Sequence, residues 1–137
     1  MKSRVLFFML ITLTVCFTGC KDDDDSLDEP KKPYFYVEYY GLHWATVHHE
    51  KLSTMTITDE NGQKVNYTIG SRNVVIGPVY AGFKATLTIS APYDGANDGR
   101  IGIARNQDHY FTTYGSFSGA KGEETLTYTI LEDTGKY

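Results

Sequence analysis

Hydrophobic and polar residues alternate along most of the chain from residue 34 onward, as in strands with one dry and one wet face. Residues 83–91 give the clearest case, because apolar side chains at every odd position alternate with Lys84 and small polar side chains. No stretch of this region has the 3.6-residue period of an amphipathic helix. The alternation also predicts strands over residues 52–58, 63–69, 100–106 and 124–131.

Local signals add further strands and turns. The aromatic and β-branched run at 34–40 predicts a first strand that stops at Gly41, and 42–50 is either a loop or a short second strand. Asn61-Gly62 predicts a hairpin turn, because both residues tolerate positive φ. A short apolar run precedes Gly77-Pro78, and since proline donates no backbone hydrogen bond, this strand lies at an edge or ends there.

The polar segments are predicted to be irregular. Residues 92–99 are expected to form a long loop, 107–108 a tight turn before a return strand at 109–114, and 115–122 a flexible loop. Residues 132–137 are expected to fray. Seven or eight short strands with frequent turn signals predict an all-β fold, either a sandwich or a small barrel. An immunoglobulin-like sandwich is the first expectation, without the paired cysteines of antibody domains.

The first twenty residues have the features of a secretory signal. Lys2 and Arg4 precede a largely apolar run at 5–17, which is shorter than the roughly 20 residues that span a bilayer. The following FTGC sequence resembles the lipobox of bacterial lipoproteins. The resemblance implies cleavage before Cys20, whose thiol and new amine then carry lipid. A plain secreted protein that is cut nearby is the alternative.

An acidic run follows the predicted lipid-bearing cysteine. It resembles the signal that directs Bacteroidota lipoproteins to the outer face of the outer membrane, and a solvated acidic linker is the plainer interpretation. The run consists of Lys21, Asp22, Asp23, Asp24 and Asp25. The predicted organisation is a signal peptide at 1–19, a flexible tether at 20–33, a sandwich at 34–133 and a tail at 134–137.

Composition excludes several classes of function. The net charge of −4 becomes −6 when Lys2 and Arg4 leave with the signal, and an acidic body disfavours nucleic acid and anionic lipid headgroups as partners. Cys16 and Cys20 are the only cysteines in the 137 residues. Disulfides, thiolate metal sites and cysteine nucleophiles are therefore not expected in the sandwich, and no cofactor is predicted.

Two groups of polar side chains are candidate metal ligands. One group consists of His43, His48, His49 and Glu50. Adjacent histidines on a strand point to opposite faces, so loop histidines are the favoured interpretation over a zinc site. The other group consists of Asp94, Asn97 and Asp98. Their spacing is not that of an EF-hand, and a solvated turn is favoured over a calcium site. The sequence contains no nucleophile elbow or phosphate-binding glycine loop, so no catalytic residue is predicted.

Aromatic residues are the surface feature that points to binding. Alternation along the first strand sends Tyr34, Tyr36, Glu38 and Tyr40 to one face and Phe35, Val37 and Tyr39 to the other. Only one face belongs to the core, so several tyrosines are expected to be exposed. They are candidates for a stacking surface together with Trp44, Tyr80, Tyr93 and Tyr114. The alternative is ordinary half-buried sandwich tyrosines with solvated hydroxyls.

The region from about residue 36 to 130 resembles the small MmpS-type domain of bacterial transport accessory proteins. The shared elements are Tyr36-Val37, the acidic-Asn-Gly turn at 59–62, the Gly-x-Lys-Ala segment at 82–85 and Gly99-Arg100-Ile101. The cysteines of that family are missing here. The resemblance implies a small sandwich with an accessory or binding role and no catalysis.

The functional prediction is a lipid-anchored, non-enzymatic binding or accessory module of the bacterial cell envelope. It is expected in the outer membrane, facing the cell surface, with an envelope protein or a glycan as partner and no nucleic acid. The second hypothesis is a surface glycan-binding protein that uses the exposed aromatics Tyr34, Tyr36, Tyr40 and Trp44. A hydrolase is a distant third hypothesis.

Overall fold

The computed structural model of the chain describes residues 31–45, 53–91, 95–106, 108 and 110–136, and every regular element within these ranges is a β-strand. The strands are β1 (Tyr34–Ala45), β2 (Ser53–Thr58), β3 (Lys64–Ile69), β4 (Ser71–Tyr80), β5 (Lys84–Ser90), β6 (Gly95–Arg105), β7 (Thr112–Ala120) and β8 (Glu123–Thr129). The chain divides into two units, Met1–Lys31 and Lys32–Tyr137, and all eight strands lie in the second. Among the described residues, no helix is available to cross a membrane.

The strands form two antiparallel sheets packed against each other. The first sheet has the order β4-β1-β6-β7, and the second sheet has the order β3-β2-β5-β8. The predicted all-β sandwich is confirmed. The strand order differs from that of an immunoglobulin constant domain, where the first strand pairs with the second, because β1 here pairs with β4 and β6.

The core lies between the two sheets and is built from alternate positions of their strands. On β1, Phe35, Val37 and Tyr39 have no exposed surface. They are packed with buried side chains of the other strands, which include Met55, Ile57, Ala85, Leu87, Ile89, Ile101, Ile103 and Ile130. The burial of these alternate positions confirms the inward faces predicted from alternation. Each large apolar side chain buried in this core contributes about 1.5–3 kcal/mol.

The predicted end of the first strand at Gly41 is wrong. β1 continues to Ala45, so residues 42–45 belong to it, and residues 46–50 lie outside the described ranges. Gly41 is needed for packing: a Cβ there would lie 2.7 Å from the Sδ of Met55 and 3.1 Å from the Cδ1 of Ile89. The glycine marks a close approach of the sheets within a strand.

Two predicted loops are largely strands. β6 begins at Gly95, because Asn97 is fully buried with hydrogen-bond partners and the Asp98 carboxylate bonds to β7. Residues 115–120 belong to β7, which pairs with β6 and places the Phe117 ring over Gly99. Both segments lack an alternating hydrophobic pattern because they consist largely of polar and small residues. Pairing with neighbouring strands stabilises them instead. The predicted return strand at 109–114 is likewise shifted, since β7 starts at Thr112.

The edge position predicted from Pro78 is confirmed, because β4 is the outermost strand of the first sheet. The alternative, that the strand ends there, is wrong: β4 runs on to Tyr80. The register shifts between Phe35 and Val37 on the neighbouring strand. This irregularity accommodates the proline without ending the ladder.

The predicted fraying of the C-terminal tail is also wrong for residues 132–136. Thr134 is 4% exposed, and its Oγ1 accepts a hydrogen bond of 2.9 Å from the backbone N–H of Leu131. The Nη1 of Arg105 donates to the carbonyl oxygens of Glu132 and Thr134 at 2.6 and 2.9 Å. The arginine thus fixes the tail to the sandwich by satisfying carbonyls that would otherwise need water.

Candidate binding face

The outer face of the first sheet carries a row of large side chains along β1, an inner strand of that sheet. Its members alternate with the buried residues of the strand. They are Tyr34, Tyr36, Glu38, Tyr40, Leu42 and Trp44. Trp44 is 58% exposed, whereas the three tyrosines are half-buried. The predicted separation of faces is confirmed, and the tyrosines themselves fit the interpretation of ordinary half-buried sandwich residues.

The predicted aromatic set is only partly brought together. Tyr34 and Tyr36 have their rings in edge-to-face contact with centroids 6.0 Å apart, and Tyr80 lies opposite Tyr34 on β4 with 56% of its surface exposed. Tyr114 does not join this face. Its ring packs against the core 4.6 Å from that of Tyr128. Tyr93 lies outside the described residues.

A polar cluster crosses three strands in the middle of this face. The Nη2 of Arg100 donates to Oε2 of Glu38 at 2.7 Å, and the Nδ2 of Asn73 donates to Oε1 at 2.8 Å. The guanidinium of Arg100 also lies over the Tyr40 ring, 5.5 Å from its centroid. The Nε of Arg100 is buried and has no hydrogen-bond partner. We call Glu38, Tyr40, Asn73 and Arg100 the Glu38 cluster.

The exposed tryptophan is held in place by a carboxylate on the next strand. The Nε1–H of Trp44 donates to Oδ2 of Asp98 at 3.2 Å. The other oxygen of Asp98 accepts from the hydroxyl of Ser118 at 2.7 Å and from the backbone N–H of Gly119 at 2.9 Å. These bonds, that from Ser118 foremost, lower the pKa of Asp98. The hydrogen bond from Nε1 therefore restrains the orientation of the solvent-facing indole.

The candidate metal ligands are used in structural contacts where they are described. The Nδ1 of His43 lies 2.8 Å from Oδ1 of Asn97, and the Asn97 amide donates to the carbonyl of Gly122 at 3.1 Å. Within the described ranges, no three His, Cys, Asp or Glu side chains gather as a metal site requires. His48, His49, Glu50 and Asp94 lie outside those ranges.

Sequence reasoning identified the outward row of β1 but missed the partners that orient it. The sequence alone does not single out Asn73, Arg100 and Ser118, because only the pairing of β4, β6 and β7 beside β1 brings them to this face. Glu38 was assigned to the outer face without a role. Cross-strand partners 35 to 62 residues apart along the chain leave no local pattern in the sequence.

Cys20 and the acidic run Lys21, Asp22, Asp23, Asp24 and Asp25 lie outside the described residues, so lipid attachment and the export signal stay predictions. No protein-family model, curated protein or solved structure matches the chain. The resemblance to MmpS-type domains likewise stays a prediction.

Proposed function

We propose that this protein is a lipid-anchored, non-enzymatic binding module of the bacterial envelope. The anchor is supported by the cationic start, the apolar run at 5–17 and Cys20 directly after small residues. Acyl chains on that cysteine would hold the domain at the membrane, because each buried CH₂ contributes about 0.8 kcal/mol. The acidic run after Cys20 supports an outer-membrane position facing the cell surface.

The observation that carries the binding role is the orientation of Trp44. Single exposed apolar side chains are common on protein surfaces, but this indole is fixed by Asp98 and shares its face with the tyrosines of β1. A side chain that is already ordered loses little conformational entropy when a partner binds. Tryptophan is also over-represented among the residues that dominate binding energy.

A glycan is the partner that the spacing on this face favours. Tyr36, Tyr40 and Trp44 are each four residues apart on one face of β1, about 13 Å along an extended strand. Glu38 lies between the first two rings on β1, and its carboxylate accepts hydrogen bonds from Asn73 and Arg100, which flank Tyr40 on the neighbouring strands. A sugar chain offers C–H faces that stack on rings and hydroxyls that bond to carboxylate, amide and guanidinium groups.

The proposal can be tested with the intrinsic fluorescence of Trp44, which is the only tryptophan of the chain. Soluble neutral polysaccharides, such as β-glucan, xyloglucan and mannan, are titrated into the full chain purified in detergent. We expect a saturable change in emission with at least one of them. A surface-immobilised version of the same panel should show that Trp44→Ala weakens binding about tenfold or more, as for a residue at the centre of an interface.

The matched control is Tyr110→Ala, since Tyr110 is 87% exposed and lies outside the strands. This variant should bind as the parent chain does. Binding that survives Trp44→Ala unchanged would contradict the assignment of this face. A panel without any ligand would remove the glycan and leave an envelope protein as the partner to be sought.

A further inference from the structure

The outer face of the second sheet contains a depression that the binding face does not use. Its volume is about 400 Å³. Its walls include Thr58, Lys64, Lys84, Thr86 and Thr127, and the half-buried ring of Phe83 also contributes. The depression combines two ammonium groups and three hydroxyl groups on one solvent-facing surface.

Strand register brings these side chains together. Lys64 of β3 pairs with Thr58 of β2, and Thr86 of β5 pairs with Thr127 of β8. Continuing the β2–β5 register one step beyond Ile57 opposite Leu87 places Thr58 beside Thr86. The three threonines and Lys64 therefore form one row across all four strands. Lys84 lies two residues from Thr86 on the same face of β5.

The two lysines are close enough to act on one ligand. From the spacings within and between strands, their Cα atoms are about 12 Å apart. Each ammonium sits on a flexible four-carbon stem, so both can turn toward the space between them. The threonine hydroxyls line that space and supply donors at fixed positions.

The depression is a local cationic exception in an acidic chain. The net charge is −4, yet within the described part of the chain the ammonium groups of Lys64 and Lys84 form neither an ion pair nor a hydrogen bond. Two carboxylates, Asp59 and Glu60, lie in the turn between Thr58 and Lys64, and neither forms an ion pair with Lys64 or Lys84. The Oδ1 of Asp59 instead accepts the backbone N–H groups of Asn61 and Gln63 at 3.0 and 2.7 Å. Two uncompensated like charges favour an anion between them.

We infer that this depression binds a phosphate monoester or inorganic phosphate. The lysines neutralise the charge, and the hydroxyls of Thr58, Thr86 and Thr127 donate hydrogen bonds to the oxygens. Because the overall acidity of the chain repels phosphate at long range, binding depends on these particular donors and not on net charge.

The position of the depression adds a membrane lipid headgroup as a second source of phosphate. Lys84 opens β5 just after Tyr80, which pairs with Tyr34 at the start of β1. The depression thus lies near the end of the sandwich at which the chain enters from residue 33. The phosphate is therefore either free in solution or part of a membrane lipid headgroup, and the latter source rests on the proposed anchor at Cys20.

The test is lysine acetylation followed by mass spectrometry on the full chain purified in detergent. Inorganic phosphate should protect Lys64 and Lys84 from the reagent and leave the exposed Lys121 and Lys136 unprotected. The double variant Lys64→Gln/Lys84→Gln should weaken phosphate binding, measured by calorimetry, about tenfold or more. Lys121→Gln/Lys136→Gln makes the same change in net charge and should bind within twofold of the parent chain.

The two sources are separated by reconstituting the chain into phosphatidylcholine vesicles with or without phosphatidic acid. Protection of Lys64 and Lys84 that requires phosphatidic acid identifies the lipid headgroup, and protection by inorganic phosphate alone identifies a soluble ligand. The inference is overturned if neither probe protects the pair, or if the control variant loses as much affinity as Lys64→Gln/Lys84→Gln. The phosphate arm needs no membrane, so its failure is distinct from failure of the anchor.

Discussion

Tyr39 joins the two sheets through the middle of the core. Its ring is fully buried, and its hydroxyl donates a hydrogen bond of 2.9 Å to the carbonyl of Thr58 on β2. Removal from water raises the pKa of this phenol, since the charged form has lost its hydration. Alternation along β1 predicted the buried position of Tyr39, whereas the partner of its hydroxyl depends on how the sheets face each other.

Replacing Tyr39 with phenylalanine should lower the free energy of unfolding by about 1 kcal/mol, because the ring stays buried while the hydrogen bond to Thr58 is lost. Urea denaturation followed by circular dichroism measures the difference. Tyr110→Phe removes a hydroxyl from a side chain that is 87% exposed and should leave stability unchanged. Equal stability of the Tyr39→Phe variant and the parent chain would show that the hydroxyl contributes nothing.

Asp98 gives the candidate binding face a pH dependence that the fluorescence of Trp44 reports. Because the pKa of Asp98 is lowered, the carboxylate stays charged and keeps its bonds to Trp44 and Ser118 through the usual titration range of an aspartate near pH 4. It loses these bonds only as the pH falls through its own, lower pKa. Emission of Trp44 should therefore stay constant on acidification to about pH 4 and change below it. In Asp98→Asn this acidic transition should disappear. An unchanged transition in that variant would assign it to another group.

At the scale of the strand, Gly41 allows β1 to pass close to the second sheet. Its missing side chain leaves room for Met55, Ile69 and Ile89, all of them buried. In the sequence, a glycine after an aromatic run has the form of a strand end. The glycine is required because side chains 14 to 48 positions further along the chain occupy the space that a Cβ would need.

Gly41→Ala should destabilise the protein by about 1–3 kcal/mol, because the new methyl group overpacks a site whose neighbours cannot move into solvent. Thermal and urea unfolding both measure the loss. Gly70→Ala is the matched control, since a Cβ at Gly70 would meet no atom within 4 Å. Similar stability of the two variants would mean that the sheets separate more easily at Gly41 than the core packing indicates.

The predictability of each element follows from the kind of interaction that stabilises it. β2, β3 and β5 were predicted closely, because burial of one face leaves an alternating pattern. The sequence predicts loops at the first five residues of β6 and over most of β7, since buried Asn97 and the glycines of β7 break that pattern. The tail was missed for the same reason: Arg105 binds it through backbone carbonyls. Hydrogen bonds across strands carry no periodic signal in the sequence.

At the scale of the molecule, the two outer faces of the sandwich differ in chemistry. The outer face of the first sheet is aromatic, with the Glu38 cluster among its rings, whereas that of the second sheet is rich in threonine and carries the Lys64–Lys84 depression. One face suits stacking against a neutral ligand and the other suits an anion. Alternation predicted which residues point outward, but the clustering of Glu38 with Arg100, and of Lys64 with Lys84, required the strand order.

The lipid anchor at Cys20 is the central claim, and intact-mass spectrometry of the protein from a lipoprotein-processing bacterium tests it most directly. We expect a chain that starts at Cys20, carries acyl chains and sediments with membranes, because the proposed signal at 1–19 directs cleavage and lipidation at this cysteine. Cys20→Ala should lack the lipid and leave the membrane fraction. An unlipidated parent chain cut elsewhere, or membrane attachment that persists in Cys20→Ala, would contradict the claim.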